Sequence, residues 1–257
     1  MSKINKKSRL SLPLKRGFFY DKRTGGLEGQ VVDVINNKEE FHTNYQAIEK
    51  VVKDNKNYTE MYAKAYPAKK VDQFYIRNAI ATYIRTLTPF NSKFDRNING
   101  LENTLTQEEI QGFNLFNGKA KCATCHFAPI FNGTIPPDFK ETEMELIGTP
   151  QQNDTINAKI SPDLGRYYVY KTEQRKHFFK TPTVRNVALT APYMHNGVYK
   201  TLDEVVDFYN RGGGFGIGIE QDLQTLPTNK LNLTKKEQKA LVAFMQTLTD
   251  DIKKAEY

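Results

Sequence analysis

The sequence predicts a mainly α protein with long loops, on three observations. Apolar residues recur at three- and four-residue spacing in several segments. Three segments open with a helix-capping pair, and strand-length alternation of apolar and polar residues is scarce. Near residues 44–53, Ile48, Val51 and Val52 share one helical face. A second helix runs near residues 58–65 and stops before Pro67, whose ring and missing N–H cannot continue it. From 71 to 87, Val71, Phe74, Tyr75, Ala79, Ile80, Tyr83, Ile84 and Leu87 keep helical spacing and predict a core helix. The capping pairs are Thr106/Glu109, Thr201/Glu204 and Thr234/Glu237. In each, the Thr side chain satisfies a free N–H of the first turn and the Glu reaches back. They open helices carrying Ile110, Phe113 and Phe116, then Val205, Val206, Phe208 and Tyr209, then Leu241, Val242, Met245 and Leu248. Residues 130–180 hold few helical signals and several Pro, Gly and Asn, and predict a long ordered loop. The Asn-Ile-Asn-Gly break within residues 97–103 predicts a boundary between domains 1–103 and 104–257.

A chain of 257 residues suits one large or two modest domains. A hydrophobic fraction of 39% is low for a globular chain and predicts long polar loops, while an ordinary charged fraction of 26% argues against bulk disorder. A chain of this length can bury roughly 70% of its unfolded surface, which excludes a disulfide-stapled miniprotein, and no apolar run reaches the ~20 residues that cross a bilayer. The net charge of +8 points to an acidic partner. No aromatic-rich basic stretch suggests nucleic-acid readout. The start is basic through Lys3, Lys6, Lys7, Arg9, Lys15 and Arg16. The apolar stretch behind it, residues 10 to 14, is short and interrupted by Ser11 and Pro13, so it makes no export signal.

Both cysteines sit in Cys122-Ala123-Thr124-Cys125-His126. Cys-x-x-Cys-His is the c-type haem attachment pattern. Two thiols three positions apart on a turn can each form a thioether to a haem vinyl group, and the adjacent imidazole then lies under the iron. A thioredoxin-like pair would need a preceding strand in a βαβ context, and a structural zinc site a fourth local ligand; neither is visible. Met144, His177, Met194, His195, Tyr209 and Met245 are candidates for a sixth iron ligand, and spacing alone does not choose among them.

Phe179-Lys-Thr-Pro-Thr-Val-Arg-Asn-Val-Ala-Leu-Thr-Ala-Pro-Tyr-Met-His-Asn-Gly197, followed by Thr201-Leu-Asp-Glu-Val-Val-Asp-Phe-Tyr-Asn-Arg-Gly-Gly213, resembles the second-haem region of bacterial di-haem cytochrome c peroxidases and their MauG relatives. The Cys-Ala-Thr-Cys-His site, the closing helix from Thr234, and upstream Arg16-Gly-Phe-Phe-Tyr-Asp21 and Leu27-Glu-Gly-Gln30 fit the same family. The resemblance implies a cytochrome c-like haem domain preceded by a partial α-helical first-haem domain. Cys122 and Cys125 would hold haem c, His126 would be its proximal ligand, and Tyr209, eight residues after Thr201, its distal ligand as in MauG. Arg185 and His195 would lie near the haem edge, where a cation balances propionates. Calcium would sit on the carbonyls of Thr190 and Pro192 and the side chain of Asn5. Gln30 and, ten residues later, Glu40 correspond to the peroxidatic pair, the Glu moving a proton between peroxide oxygens. Tyr20 stands where the family has an inter-haem Trp, and the chain has no Trp.

The resemblance further implies hydrogen peroxide as substrate, a small electron-donor protein or oxidisable partner, a homodimer and a periplasmic location. The family carries a second Cys-x-x-Cys-His upstream of the Arg-Gly-Phe-Phe-Tyr-Asp segment, and this sequence has one pair. The missing pair and missing export signal are both expected if the chain lacks the N-terminal part of a longer protein. Two other expectations stand beside peroxide reduction: a mono-haem electron-transfer module, and an inactive remnant.

Overall fold

In the computed structural model, which describes residues 17–87 and 90–250, a turn closed by the Phe18–Thr24 bridge leads into four helices. These are α1 (Leu27–Asn36), α2 (Tyr45–Asp54), α3 (Lys56–Ala65) and α4 (Gln73–Thr86). Short polar side chains start three of them: Asn44 accepts from the Ala47 N–H at 2.9 Å, Asn55 from Tyr58 at 3.2 Å and Asp72 from Phe74 at 2.7 Å. α4 packs on α1 and α2 through two small cores. One joins Phe18, Leu27 and Ala81; the other joins Val31, Ile35, Tyr45 and Ile76.

The buried face of α4 differs from the sequence expectation. Ile76 and Ala81 are buried, whereas Phe74 and Tyr83 are 48% and 51% exposed. The helix is gripped from two sides, so its buried stripe follows Ile76, Ile80, Ala81 and Ile84. Phe74 instead meets the edge of Tyr75 and the Arg77 guanidinium.

The remaining elements are α5 (Lys93–Ile98), α6 (Gln107–Asn117), β1 (Met144–Glu145), α7 (Tyr167–Tyr170), β2 (Phe179–Lys180), α8 (Leu202–Arg211), α9 (Gly213–Gly216) and α10 (Lys235–Thr247). The three Thr/Glu capping boxes form at α6, α8 and α10, and a fourth, Ser92/Asp95, opens α5. Phe94, Phe113, Phe116, Phe131 and Phe244 build the centre of this half, with contacting ring centroids 5.2–5.9 Å apart. Phe94 therefore packs with the C-terminal core although it precedes residue 103. α6 and α10 cross closely at Gly112, where a Cβ would fall 1.9 Å from the Ala240 carbonyl oxygen.

Residues 130–180 form the expected long loop. Antiparallel β1 and β2 pair Met144 with Lys180 and Glu145 with Phe179, and isolated bridges at Thr134–Thr142, Pro150–Ile160 and Gly165–Phe178 pin the rest.

Candidate haem site

α6 delivers the cysteines. After its last turn the Ala120 N–H donates to the Leu115 carbonyl at 2.9 Å, and Lys121 takes a left-handed conformation. Residues Cys122–Thr124 then form one 3₁₀ turn. The Cys125 and His126 N–H groups donate to the Cys122 carbonyl at 3.3 and 3.0 Å. The turn brings both thiols and the imidazole to one stretch of surface, with the sulfurs unlinked and half-buried. Burial pushes the Cys122 thiol up to about 12. Burial, followed by the charge of Glu145, pushes Cys125 up to about 11. Such thiols are not the exposed, low-pKa thiolates of a redox pair. A thioether is uncharged, so its sulfur suits the same surroundings.

His126 is oriented from the far side of the loop. Its Nδ1 lies 3.1 Å from the Pro182 carbonyl oxygen. A carbonyl only accepts, so Nδ1 carries the proton and Nε2 keeps its lone pair. Burial lowers this imidazole to about 4, which keeps it in the neutral, ligating form at neutral pH. The carbonyl is itself held in place: Thr183 Oγ1 donates to Ile130 O at 2.8 Å and the Val184 N–H to Phe131 O at 2.9 Å.

Tyr209 arrives on α8, next to buried Phe208, and the helix ends at Gly212, whose φ of 102° is left-handed. Its phenol is pushed up by burial first, then by the charges of Cys125, Cys122 and Glu145. Glu143 and Glu145 complete the wall, with carboxylate oxygens within 4.8 Å of each other and of Cys125 Sγ. Burial and Glu145 raise the Glu143 carboxyl. Cys122, Cys125 and His126 do not draw together within that range as a group, so the pentapeptide does not converge on a zinc ion. Two neutral thiols on one turn, a neutral imidazole with Nε2 free of this hydrogen bond, and a nearby phenol fit a covalently held haem.

Arg185, expected near the haem edge, is bound by protein groups. It is 3% exposed, and its guanidinium donates twice to Asp95, at 2.9 and 2.8 Å, and once to the Pro129 carbonyl at 2.8 Å. Burial alone would raise the Asp95 carboxyl, but hydrogen bonds from Arg185 and Ser92 hold it low. His195 is buried, stacks on Phe179 at 3.7 Å and lies 3.1 Å from Ser161 Oγ through Nε2; burial lowers it to about 4.

The expected peroxidatic residues lie in the N-terminal half. Gln30 is half-buried on α1, and Glu40 follows that helix, accepting from Asn37 Nδ2 at 3.3 Å. No hydrogen bond joins Gln30 to Glu40 among the described residues. The Tyr20 carbonyl accepts the Lys180 N–H at 2.7 Å, so Tyr20 sits at the seam between the two halves. Thr190 and Pro192 lie on the loop between β2 and α8; Asn5 lies outside the described residues. Sequence reasoning missed Glu143, Glu145 and the role of Pro182. The loop carries no periodic signal for the acids, and a backbone acceptor has no sequence signature.

Residues 1–103 match the family described as di-haem cytochrome c peroxidase. The chain is 30% identical over 253 residues to cytochrome-c peroxidase IdrP2 of Denitromonas iodatirespirans, covering 92% of this chain and 66% of that protein. It is 32% identical over 248 residues to cytochrome c551 peroxidase of Nitrosomonas europaea, covering 96% and 66%. The fold matches the crystal structure of a MauG-like protein associated with microbial copper homeostasis. There the TM-score is 0.76 and identity 23%, over 97% of this chain and 83% of the other.

Proposed function

Since this chain belongs to the di-haem cytochrome c peroxidase family, we propose that it is a haem c oxidoreductase reducing hydrogen peroxide with electrons received through the haem on Cys122, Cys125 and His126. The observation that carries the reading is the His126 Nδ1–Pro182 hydrogen bond beside two half-buried, neutral thiols on one turn. When bound, haem supplies a one-electron couple at its iron.

The chain's own residues supply the rest. Cys122 and Cys125 would tether the group, and the one cysteine pair in the 257 residues would tether one haem. His126 presents Nε2, its tautomer set by the Pro182 carbonyl. Tyr209 would help hold the iron through its phenol oxygen; a phenolate is a hard anion that favours ferric iron. Gln30 and Glu40 act in the N-terminal half, unit 1–103, where Glu40 moves the proton between peroxide oxygens. Peroxide takes up two electrons and two protons and leaves as two waters. Tyr20, at the seam, stands on the electron route between the halves. His195 supports the haem edge through its stack on Phe179, and Arg185 braces that region by tying Asp95 to the Pro129 carbonyl. The carbonyls of Thr190 and Pro192, with the side chain of Asn5, would hold calcium, since oxygen donors suit that ion.

The electrons come from a small acidic donor protein, steered by the chain's positive charge. The working compartment is the periplasm, and the assembly is a homodimer. No helix among the described residues is long and apolar enough to cross a membrane. The test is peroxide-dependent oxidation of a reduced donor by the haem-loaded chain. Glu40→Gln is expected to lower turnover by about 10²-fold or more while haem content holds; equal turnover would remove Glu40 from the chemistry.

A further inference from the structure

Successive residues of a strand face opposite sides of a sheet. In β2, Phe179 stacks on His195 and pairs with Glu145, the acid beside Cys125. Lys180 therefore turns away from that wall, toward the segment that carries Tyr20 and Lys22, and its N–H donates to the Tyr20 carbonyl. The residue is 8% exposed. Among the described residues no hydrogen bond or ion pair reaches its ammonium, and the charge acting on it is the like charge of Lys22. Lys22 is itself held at the seam by the Thr142 carbonyl at 3.0 Å and by exposed Glu141 at 3.6 Å.

Two cations thus share a seam whose carboxylates are engaged elsewhere: Asp21 pairs with Arg23 at 3.0 Å, and Glu141, the acid beside Lys22, faces solvent. An ammonium has three donors and no acceptor, and burying it without an anion costs several kcal/mol. Arg185, the cation expected to meet propionates, is already neutralised by Asp95. We propose that the seam between residues 17–24 and the β1–β2 hairpin is a carboxylate-binding site in which Lys180, backed by Lys22, holds a haem propionate. The anion site follows from burial and charge alone; the propionate as its occupant rests on the haem reading above. A small free anion has the same chemistry and is separated from propionate by experiment.

The experiment uses the full chain, exported and haem-loaded, as wild type, Lys180→Met and Lys180→Arg, with folding followed by circular dichroism. Loss of a cation beside a propionate favours ferric haem. Lys180→Met is therefore expected to shift the midpoint potential downward, and Lys180→Arg to restore most of the shift. If formate instead raises the wild-type Tm saturably, and Lys180→Met abolishes that response without moving the potential, the site stands with a free anion as occupant and the propionate assignment falls. A folded Lys180→Met that gains stability, with unchanged potential and no formate response in the wild type, would overturn the proposal. Should Lys180→Met not fold, Lys22→Met replaces it, with a smaller downward shift expected and an unchanged potential and formate response counting against the site. A chain that attaches no haem overturns the haem reading, and the formate arm then decides the anion site.

Discussion

Arg185 and Lys180 are two buried cations five residues apart with opposite fates. Arg185 has a bidentate carboxylate partner, and that pair ties the start of α5 to the loop beneath the haem turn. Asp95→Asn would leave a buried guanidinium uncompensated, at a cost of about 3–5 kcal/mol, measurable as a lower denaturant midpoint. A change below ~1 kcal/mol would mean that the pair is not what holds α5. Burial, with Lys22 adding to it, lowers the Lys180 ammonium to about 8 before an anion is bound. The unfolded lysine titrates near 10.5, so between these values the unfolded chain binds the extra proton and stability rises with pH. In the haem-free chain at low anion concentration this contributes up to about 3 kcal/mol between pH 8 and 10.5. Lys180→Met should flatten that rise relative to wild type; equal slopes would contradict it. At Tyr209, replacement by Phe should change the ferric spectrum of the haem-loaded chain, and an unchanged spectrum would remove it as the distal ligand.

Helices that carry their own punctuation are the elements most legible in the sequence. The Thr/Glu boxes at 106, 201 and 234 each became an N-terminus because cap and glutamate lie within one turn, independent of tertiary contacts. The Ser92/Asp95 box works the same way with a shorter acid and escaped notice. α4 shows the opposite case: its period was readable, but which stripe is buried depends on α1 and α2, which only the fold brings together. The α6–α10 crossing is similar, because nothing around Gly112 signals that another backbone passes beside it. Gly112→Ala should force the helices apart and cost about 1–3 kcal/mol despite alanine's better helix propensity, read from thermal or urea unfolding. A stabilised variant would show that the crossing is looser than described.

At the scale of the molecule, two helical halves meet at a seam made largely of backbone acceptors. The Arg166 guanidinium donates to the carbonyls of Asp21 and Lys22 at 2.7 and 2.6 Å, and Lys180 reaches Tyr20 through its N–H. The Cys-x-x-Cys-His turn was readable because thioether chemistry would fix both residue types and spacing. Its setting was not, since Pro182, Glu143 and Glu145 reach it across a loop of long-range contacts. As proposed above, this turn is the haem tether. The most direct measurement is a pyridine haemochrome count on the purified chain after export through a c-type maturation system. One covalently bound haem per chain, abolished in Cys122→Ser/Cys125→Ser, is the predicted result; a folded chain with no bound haem would contradict it.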